Sequence, residues 1–271
     1  MKTLPSKKFA GPRTLSVVRE DRPFATARTL RIGMILFPGL DQMDFTGPFE
    51  VFSRLPEATV HVLWKELEPV EDMRGLRLLP QQTFTQSPDL DVLQVPGGPG
   101  QEVLMGDKTV LNVIKRHANS GKLLLSVGTG ALLCGAAGIL YDRHATTHWT
   151  AHDLLACFGA IAVDQRVVAD GNLVTTAGAS AGIDGALRVA AMLRGAEVAQ
   201  QIQLAMEYAP DPPFQSGDIK SAPPSVVDGA LLQVRRIRAQ RLATARRYAD
   251  QFGSVKREGR PVGPTLQAIE G

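Results

Sequence analysis

Residues 122–138, KLLLSVGTGALLCGAAG, set an apolar run directly against a glycine turn and then a stretch of small residues. A short continuous apolar run suits a strand buried on both faces, and the small residues after it suit a helix packed closely on a sheet. The segment therefore reads as strand, sharp elbow, helix. Such a unit belongs to a mainly parallel α/β sheet, in which ligands bind in the crevice beyond the carboxyl ends of the strands. An elbow of this kind presents its apex side chain to that crevice. Here the apex is Gly128, so the turn displays no side chain.

The segments around it repeat the pattern. Residues 31–37 (RIGMILF) form an apolar run closed by Pro38-Gly39, and a helix follows, with Phe45, Phe49 and Phe52 near helical spacing and Pro48 read as lying in its first turn. Residues 58–65 alternate as a strand, a hairpin is expected near 75–80, and residues 91–95 form another buried strand ended by Pro96-Gly-Gly-Pro-Gly100. A helix is predicted over 108–120. A hairpin turning at Asp170-Gly171 and helices over 178–194 and 197–208 come next, with a further helix predicted to follow Trp149. Pro210 to Pro224 reads as a surface connection. Residues 225–252 form a basic amphipathic helix, with Val226, Val227, Leu231, Leu232, Val234 and Ile237 as its packed face against a solvated face of Arg235, Arg236, Arg238, Arg241, Arg246 and Arg247. The expected architecture is a flavodoxin-like three-layer α/β sandwich with the elbow at 122–138. Its domain runs over 31–252, after a disordered leader (1–30) and before a flexible tail (253–271).

Composition narrows the function. Apolar residues make up 44% and charged residues 21% of the 271-residue chain, as in ordinary globular proteins. Thirty basic against 27 acidic residues leave a net charge of only +3, with much of the basic charge near the ends. Neither DNA nor RNA is an expected partner. No apolar run approaches the roughly 18 residues of a membrane span, and the chain opens without the hydrophobic block of a secretory signal. The two cysteines, Cys134 and Cys157, lack any CxxC or Cys/His ligand spacing, so no disulfide framework or metal site is expected. A cytoplasmic protein with reduced thiols is the reading that follows.

Several residues near the strand ends carry candidate chemistry. Gly97 and Gly98 let backbone amides approach an anion or a developing oxyanion, or simply make a tight turn. Gly128-Thr129-Gly130 has the start of a dinucleotide fingerprint. That reading fails, because the third glycine position is Leu133 and His148-Trp149 stands where an acidic ribose ligand is required about 20 residues on. Asp44, between Met43 and Phe45, reads equally as a desolvated general acid/base and as a helix N-cap. His148 reads as a base, a donor to substrate or a core histidine. Thr129 caps the helix or hydrogen-bonds a ligand, since no base is evident to activate it as a nucleophile. Cys134 falls on the helix body and should face the core.

Asp41-Gln-Met-Asp-Phe-Thr-Gly-Pro48, Val95-Pro-Gly-Gly98, Ser126 to Gly138, Ala145-Thr-Thr-His-Trp149 and Ala181-Gly-Ile-Asp184 together resemble the ThiJ/PfpI superfamily, also called class I glutamine amidotransferase-like. Within it the similarity is to isocyanide hydratases, over about residues 31–250. The resemblance implies a parallel sheet, no metal or organic cofactor, and a homodimer. It also implies that isocyanide and water are converted to an N-formamide by a cysteine at the elbow. An acid at the position of Asp44 manages protons, the position of Thr129 binds near the reacting atom, and the loop at Gly97 and Gly98 supplies backbone donors. The elbow cysteine falls on Gly128, so a thioimidate cannot form there. Only one basic helix follows Pro224, which does not fit the appended two-motif DNA-binding domain of some relatives.

The sequence thus points to a cofactor-independent lyase, hydratase or cyclase acting on a small organic molecule. Asp44 and Thr129 are its catalytic candidates, and Gly97, Gly98, Gly128 and His148 its substrate-binding candidates. A non-catalytic small-molecule-binding pseudoenzyme and an inactivated isocyanide hydratase are the alternatives.

Overall fold

The computed structural model describes residues 28–256. Residues 1–27 of the expected leader (1–30) and 257–271 of the expected tail (253–271) lie outside the described residues, whereas Leu30 already belongs to a strand and residues 253–256 to a helix. The strands are β1 (Leu30–Ile35), β2 (Ala58–Trp64), β3 (Val70–Glu71), β4 (Arg77–Leu78), β5 (Gln82–Thr83), β6 (Val92–Val95), β7 (Leu123–Val127), β8 (His144–Ala145), β9 (Ile161–Ala162), β10 (Val167–Asp170) and β11 (Leu173–Thr176). The helices are α1 (Gln42–Ser53), α2 (Gln101–Leu104), α3 (Lys108–Asn119), α4 (Gly130–Ala136), α5 (Ala181–Arg194), α6 (Ala196–Ala205) and α7 (Pro224–Lys256).

Seven strands form the main sheet in the order β10-β11-β7-β6-β1-β2-β5. All neighbours are parallel except the hairpin of β10 and β11, which turns at Gly171 and Asn172. The parallel strands read as continuous apolar runs because both faces are covered, and β6 is buried along its whole length. Helices α1 and α5 pack on each other and on the sheet, as do α3 and α4, which gives the helix–sheet–helix layering expected of the chain. Ile32, Met34, Ile35, Leu63, Leu93, Leu125 and Val127 are sealed between those layers.

Three expectations change in detail. Pro48 lies well inside α1 rather than in its first turn, because the helix already begins at Gln42 with Asp41 as its N-cap. The helix expected after His148 is a 3₁₀ segment, Trp149–Phe158, which Gly159 ends in a left-handed conformation. Helix α7 turns inward only part of the face its apolar residues suggest: Val227, Leu231, Val234 and Ile237 are half-buried. Val226 and Leu232 are exposed, while Arg241, Thr244 and Ala245 are buried against the 3₁₀ segment and α2. Arg238 already bonds the Thr150 carbonyl and pairs with Asp153, so the close packing of this 33-residue helix begins near its middle, and the apolar residues nearer its start have less to cover them.

Candidate active site

The carboxyl ends of β1, β6 and β7 bring three loops together. From the first of these comes α1. Its N-cap is Asp41, whose side chain accepts from the Met43 amide, so the capping role is filled and Asp44 is left for the crevice. Asp44 is only 4% exposed. Its Oδ2 accepts from the Gly97 amide at 3.0 Å, and its backbone carbonyl accepts from Gln94 Nε2 at 2.9 Å. Burial raises its pKa from 3.8 to about 7, helped by the charge of Asp41; the Gly97 and Ala179 amides and the Arg241 guanidinium act in the opposite direction. The carboxyl group thus exchanges its proton near neutral pH.

The elbow after β7 places Gly128 at φ +52°, the left-handed region that glycine accepts without the penalty of a Cβ. A Cβ at this residue would come within 2.7 Å of Asp44 Oδ2. The Asp44 carboxyl group therefore stands directly beside the point where an apex side chain would begin. Gly97 makes a similar close approach: a Cβ there would lie 2.7 Å from both Asp44 Oδ2 and Thr129 Oγ1.

Thr129 follows the apex, and its hydroxyl makes no capping bond to α4. It accepts instead from the Gly98 amide at 3.1 Å and from Arg241 Nη2 at 3.3 Å. Both loop amides are therefore engaged by the protein. Gly97 holds Asp44 and Gly98 holds Thr129, so the expected role of these two glycines as ligand-facing donors gives way to one of fixing the candidate acid and the candidate hydroxyl.

His148 caps the 3₁₀ segment, with Nδ1 2.8 Å from Thr150 Oγ1, and burial together with the charge of Arg241 lowers its pKa to about 4. It is neutral at physiological pH. Its neighbour Thr147 donates to the Gly128 carbonyl at 2.7 Å and steadies the elbow from below. His148 also lines a cavity of about 420 Å³ with Thr146, Trp149, Arg166, Gly178 and Lys220. Asp44 and Gly128 do not line this cavity. They lie behind the Gly178 turn, whose Cα would be 3.5 Å from a Cβ on Gly128. A larger cavity of about 660 Å³, between residues 84–90 and α3, has none of the candidate residues in its wall.

The cysteines do not replace the missing apex. Cys134 is fully buried, and burial pushes its thiol up to about 12. Cys157 is also buried, with its pKa raised by burial and by Asp153. Such thiols hold too little thiolate to act as nucleophiles. Among the described residues, no group of three His, Cys, Asp or Glu side chains is placed to hold a metal ion, and no helix is long and apolar enough to cross a membrane. Asp184 in α5 is structural: it pairs with Arg166 and accepts from the Tyr208 hydroxyl at 2.8 Å.

The amphipathic pattern predicts a solvated position for Arg241, and the structure buries it instead. It is 5% exposed, and it donates through Nε to Gln101 Oε1 at 3.0 Å and through Nη2 to the Gly98 carbonyl at 3.1 Å. A sequence signal for it existed. Val234, Ile237, Arg241 and Ala245 are spaced at three and four residues, which puts the arginine on the inward stripe.

The DJ-1/PfpI family profile matches residues 30–192. An isonitrile hydratase from Pseudomonas putida is 51% identical over 201 residues, covering 74% of this chain and 88% of that protein. The crystal structure of a ThiJ/PfpI family protein from Pseudomonas syringae superposes with a TM-score of 0.77 at 39% identity, covering 80% of this chain and 90% of the other. Drosophila melanogaster DJ-1beta superposes with a TM-score of 0.62 at 26% identity, covering 67% of this chain and all of that one.

Proposed function

The chain belongs to the DJ-1/PfpI family, and from that premise we propose that it is a cofactor-independent lyase of the hydratase type. In this reading it acts on a small organic molecule through Asp44, without a covalent enzyme intermediate. The observation that carries the proposal is the Asp44 carboxyl group, buried against the elbow apex with its pKa raised to about 7. A carboxylic acid with that pKa serves at neutral pH first as proton donor and then as acceptor.

For an isocyanide, the acid form of Asp44 delivers its proton to the terminal carbon. Water adds to the same carbon of the resulting nitrilium, and its surplus proton returns to the carboxylate. The imidic acid so formed tautomerises to the N-formamide, with Asp44 reprotonated. Thr129 and the elbow backbone orient the reacting atoms, with neutral His148 as a further hydrogen-bonding group. Homodimerisation, implied by the family resemblance, is part of the same reading.

The test is Asp44→Asn in the full chain, with N-formamide formation from an alkyl isocyanide followed by mass spectrometry. Loss of a positioned acid/base is expected to reduce turnover by about 10²- to 10⁴-fold. Unchanged turnover overturns the role. The empty apex at Gly128 favours a second reading, a small-molecule-binding pseudoenzyme, which predicts ligand binding by the wild-type protein with no turnover at all.

A further inference from the structure

Arg241 reaches the site from α7, outside the residues that the family profile matches. A guanidinium has five N–H donors. Three are engaged here, with Gln101 Oε1, the Gly98 carbonyl and Thr129 Oγ1 as acceptors, all of them uncharged. The two on Nη1 have no acceptor among the described residues. The other cations beside the adjoining cavity are matched by carboxylates: Arg166 by Asp184 and Lys220 by Asp164. Arg241 forms no ion pair among the described residues. Glu102 and Asp44 favour its charge from beyond ion-pair distance, but neither takes its free donors, and a buried charge is best satisfied by a directly bonded partner of opposite sign.

Thr129 supplies the second half of the argument. A hydroxyl has two acceptor positions and one proton. The Gly98 amide and Arg241 Nη2 take both acceptor positions of Thr129 Oγ1, so its proton is left to be donated. No described residue receives it. Two sets of uncommitted donors, Arg241 Nη1 and the Thr129 hydroxyl, therefore belong to side chains bonded to one another beside Asp44.

We propose that Arg241 and Thr129 form a carboxylate-recognition site, and that the small molecule handled at Asp44 is an organic acid. The substrate class rests on the acid/base reading of Asp44; the binding site itself does not. A planar guanidinium edge with a neighbouring hydroxyl suits a carboxylate better than a neutral amide, because charge-assisted hydrogen bonds are roughly twice as strong. The charged and titratable groups facing this cluster are Asp41 and Asp44 from α1, Glu102 from α2, and His148 ahead of the 3₁₀ segment. A bound carboxylate is tolerated while Asp44 is protonated and repelled once it ionises.

The probes are propionate and propionamide, matched in shape and differing in charge, with binding to the full-length protein measured by NMR titration. At pH 6 propionate is expected to bind about tenfold more tightly than propionamide. Arg241→Gln should abolish that preference. Equal binding of the two probes by the wild type, or a preference that survives in Arg241→Gln, would overturn the proposal. Should Arg241→Gln fail to fold, the wild type still decides. Its affinity for propionate should fall about tenfold between pH 6 and pH 8 while that for propionamide stays level, and in Asp44→Asn the propionate affinity should be level as well. A wild-type propionate affinity independent of pH places the anion elsewhere and overturns the assignment. Because these titrations need no turnover, an active Asp44→Asn enzyme would refute the catalytic reading and leave the binding result standing.

Discussion

Two helices from opposite ends of the described chain each send one charged residue to the same crevice, and the two behave differently. Asp44 lies in the first turn of α1, among the loops at the strand ends; Arg241 arrives 112 residues after the threonine it contacts. Both are almost fully buried, and burial is the leading cause of both pKa shifts. The outcome differs because the starting points differ. Asp44 moves from 3.8 to about 7 and changes charge in the neutral range, whereas Arg241 falls from 12.5 to about 10 and stays a cation there. The same desolvation thus makes one residue a proton exchanger and leaves the other a fixed charge. The contrast separates a chemical role from a recognition role.

The largest expected effect on stability tests the Asp44 half. In the folded state this group holds its proton more tightly than in the unfolded state. Between pH 3.8 and about 7 the native protein therefore binds more protons, and stability falls as pH rises through that window. Above pH 7 the full penalty of the buried carboxylate is present, on the order of 4 kcal/mol at about 1.4 kcal/mol per unit. Asp44→Asn removes the charge and keeps the shape. Urea denaturation should show the variant more stable than wild type by on the order of 4 kcal/mol at pH 8 and about equal to it near pH 3.5. A stability difference that does not vary with pH would erase the contrast with Arg241.

A smaller loss is expected at the elbow. Gly128→Ala puts a side chain on a left-handed backbone, which costs about 1–2 kcal/mol, and sets its Cβ against Asp44 Oδ2. Stability should drop by roughly 2 kcal/mol, and the Asp44 titration, read by carboxyl carbon NMR, should move toward the ordinary carboxylate range as the group is displaced. With Asp44 then ionised at pH 6, propionate binding at that pH should weaken toward the level the wild type shows at pH 8. Gly128→Cys adds a nucleophile at the same strain. A gain of N-formamide formation in that variant would show that Asp44 yields its position to an apex side chain, and would weaken its claim to be the reacting group.

The two halves of the site also differ in how far sequence discloses them. The parallel sheet, the elbow, Gly128, Asp44, Thr129 and the Gly97-Gly98 loop were legible because strand ends announce themselves locally, by apolar runs that break at glycine and proline. What that pattern did not carry is where the loop amides point. Gly97 and Gly98 hold Asp44 and Thr129, a pairing across 53 and 31 residues that only the sheet order decides. Asp44 stayed balanced between cap and acid until Asp41 proved to be the cap. Arg241 was obscured by a different cause. Separating apolar from charged positions turns Val234 and Ile237 inward correctly but sends every arginine to solvent, whereas the three- and four-residue spacing that continues from them places Arg241 on the same inward stripe.

The smallest expected effect probes that uncovered face of α7. Leu232 is 64% exposed, so a charged residue there stays in solvent. Leu232→Glu should change the unfolding free energy by no more than about 0.5 kcal/mol and leave propionate binding intact. Size-exclusion chromatography of the same variant sharpens the reading. If this face is free in solution, the elution volume will match that of the wild type. If a second copy covers it, a buried glutamate will be costly and the variant will elute as a smaller species. Helix α7 would then bear the subunit contact on one face and Arg241 on the other, and the recognition half of the site would depend on assembly while the Asp44 half would not.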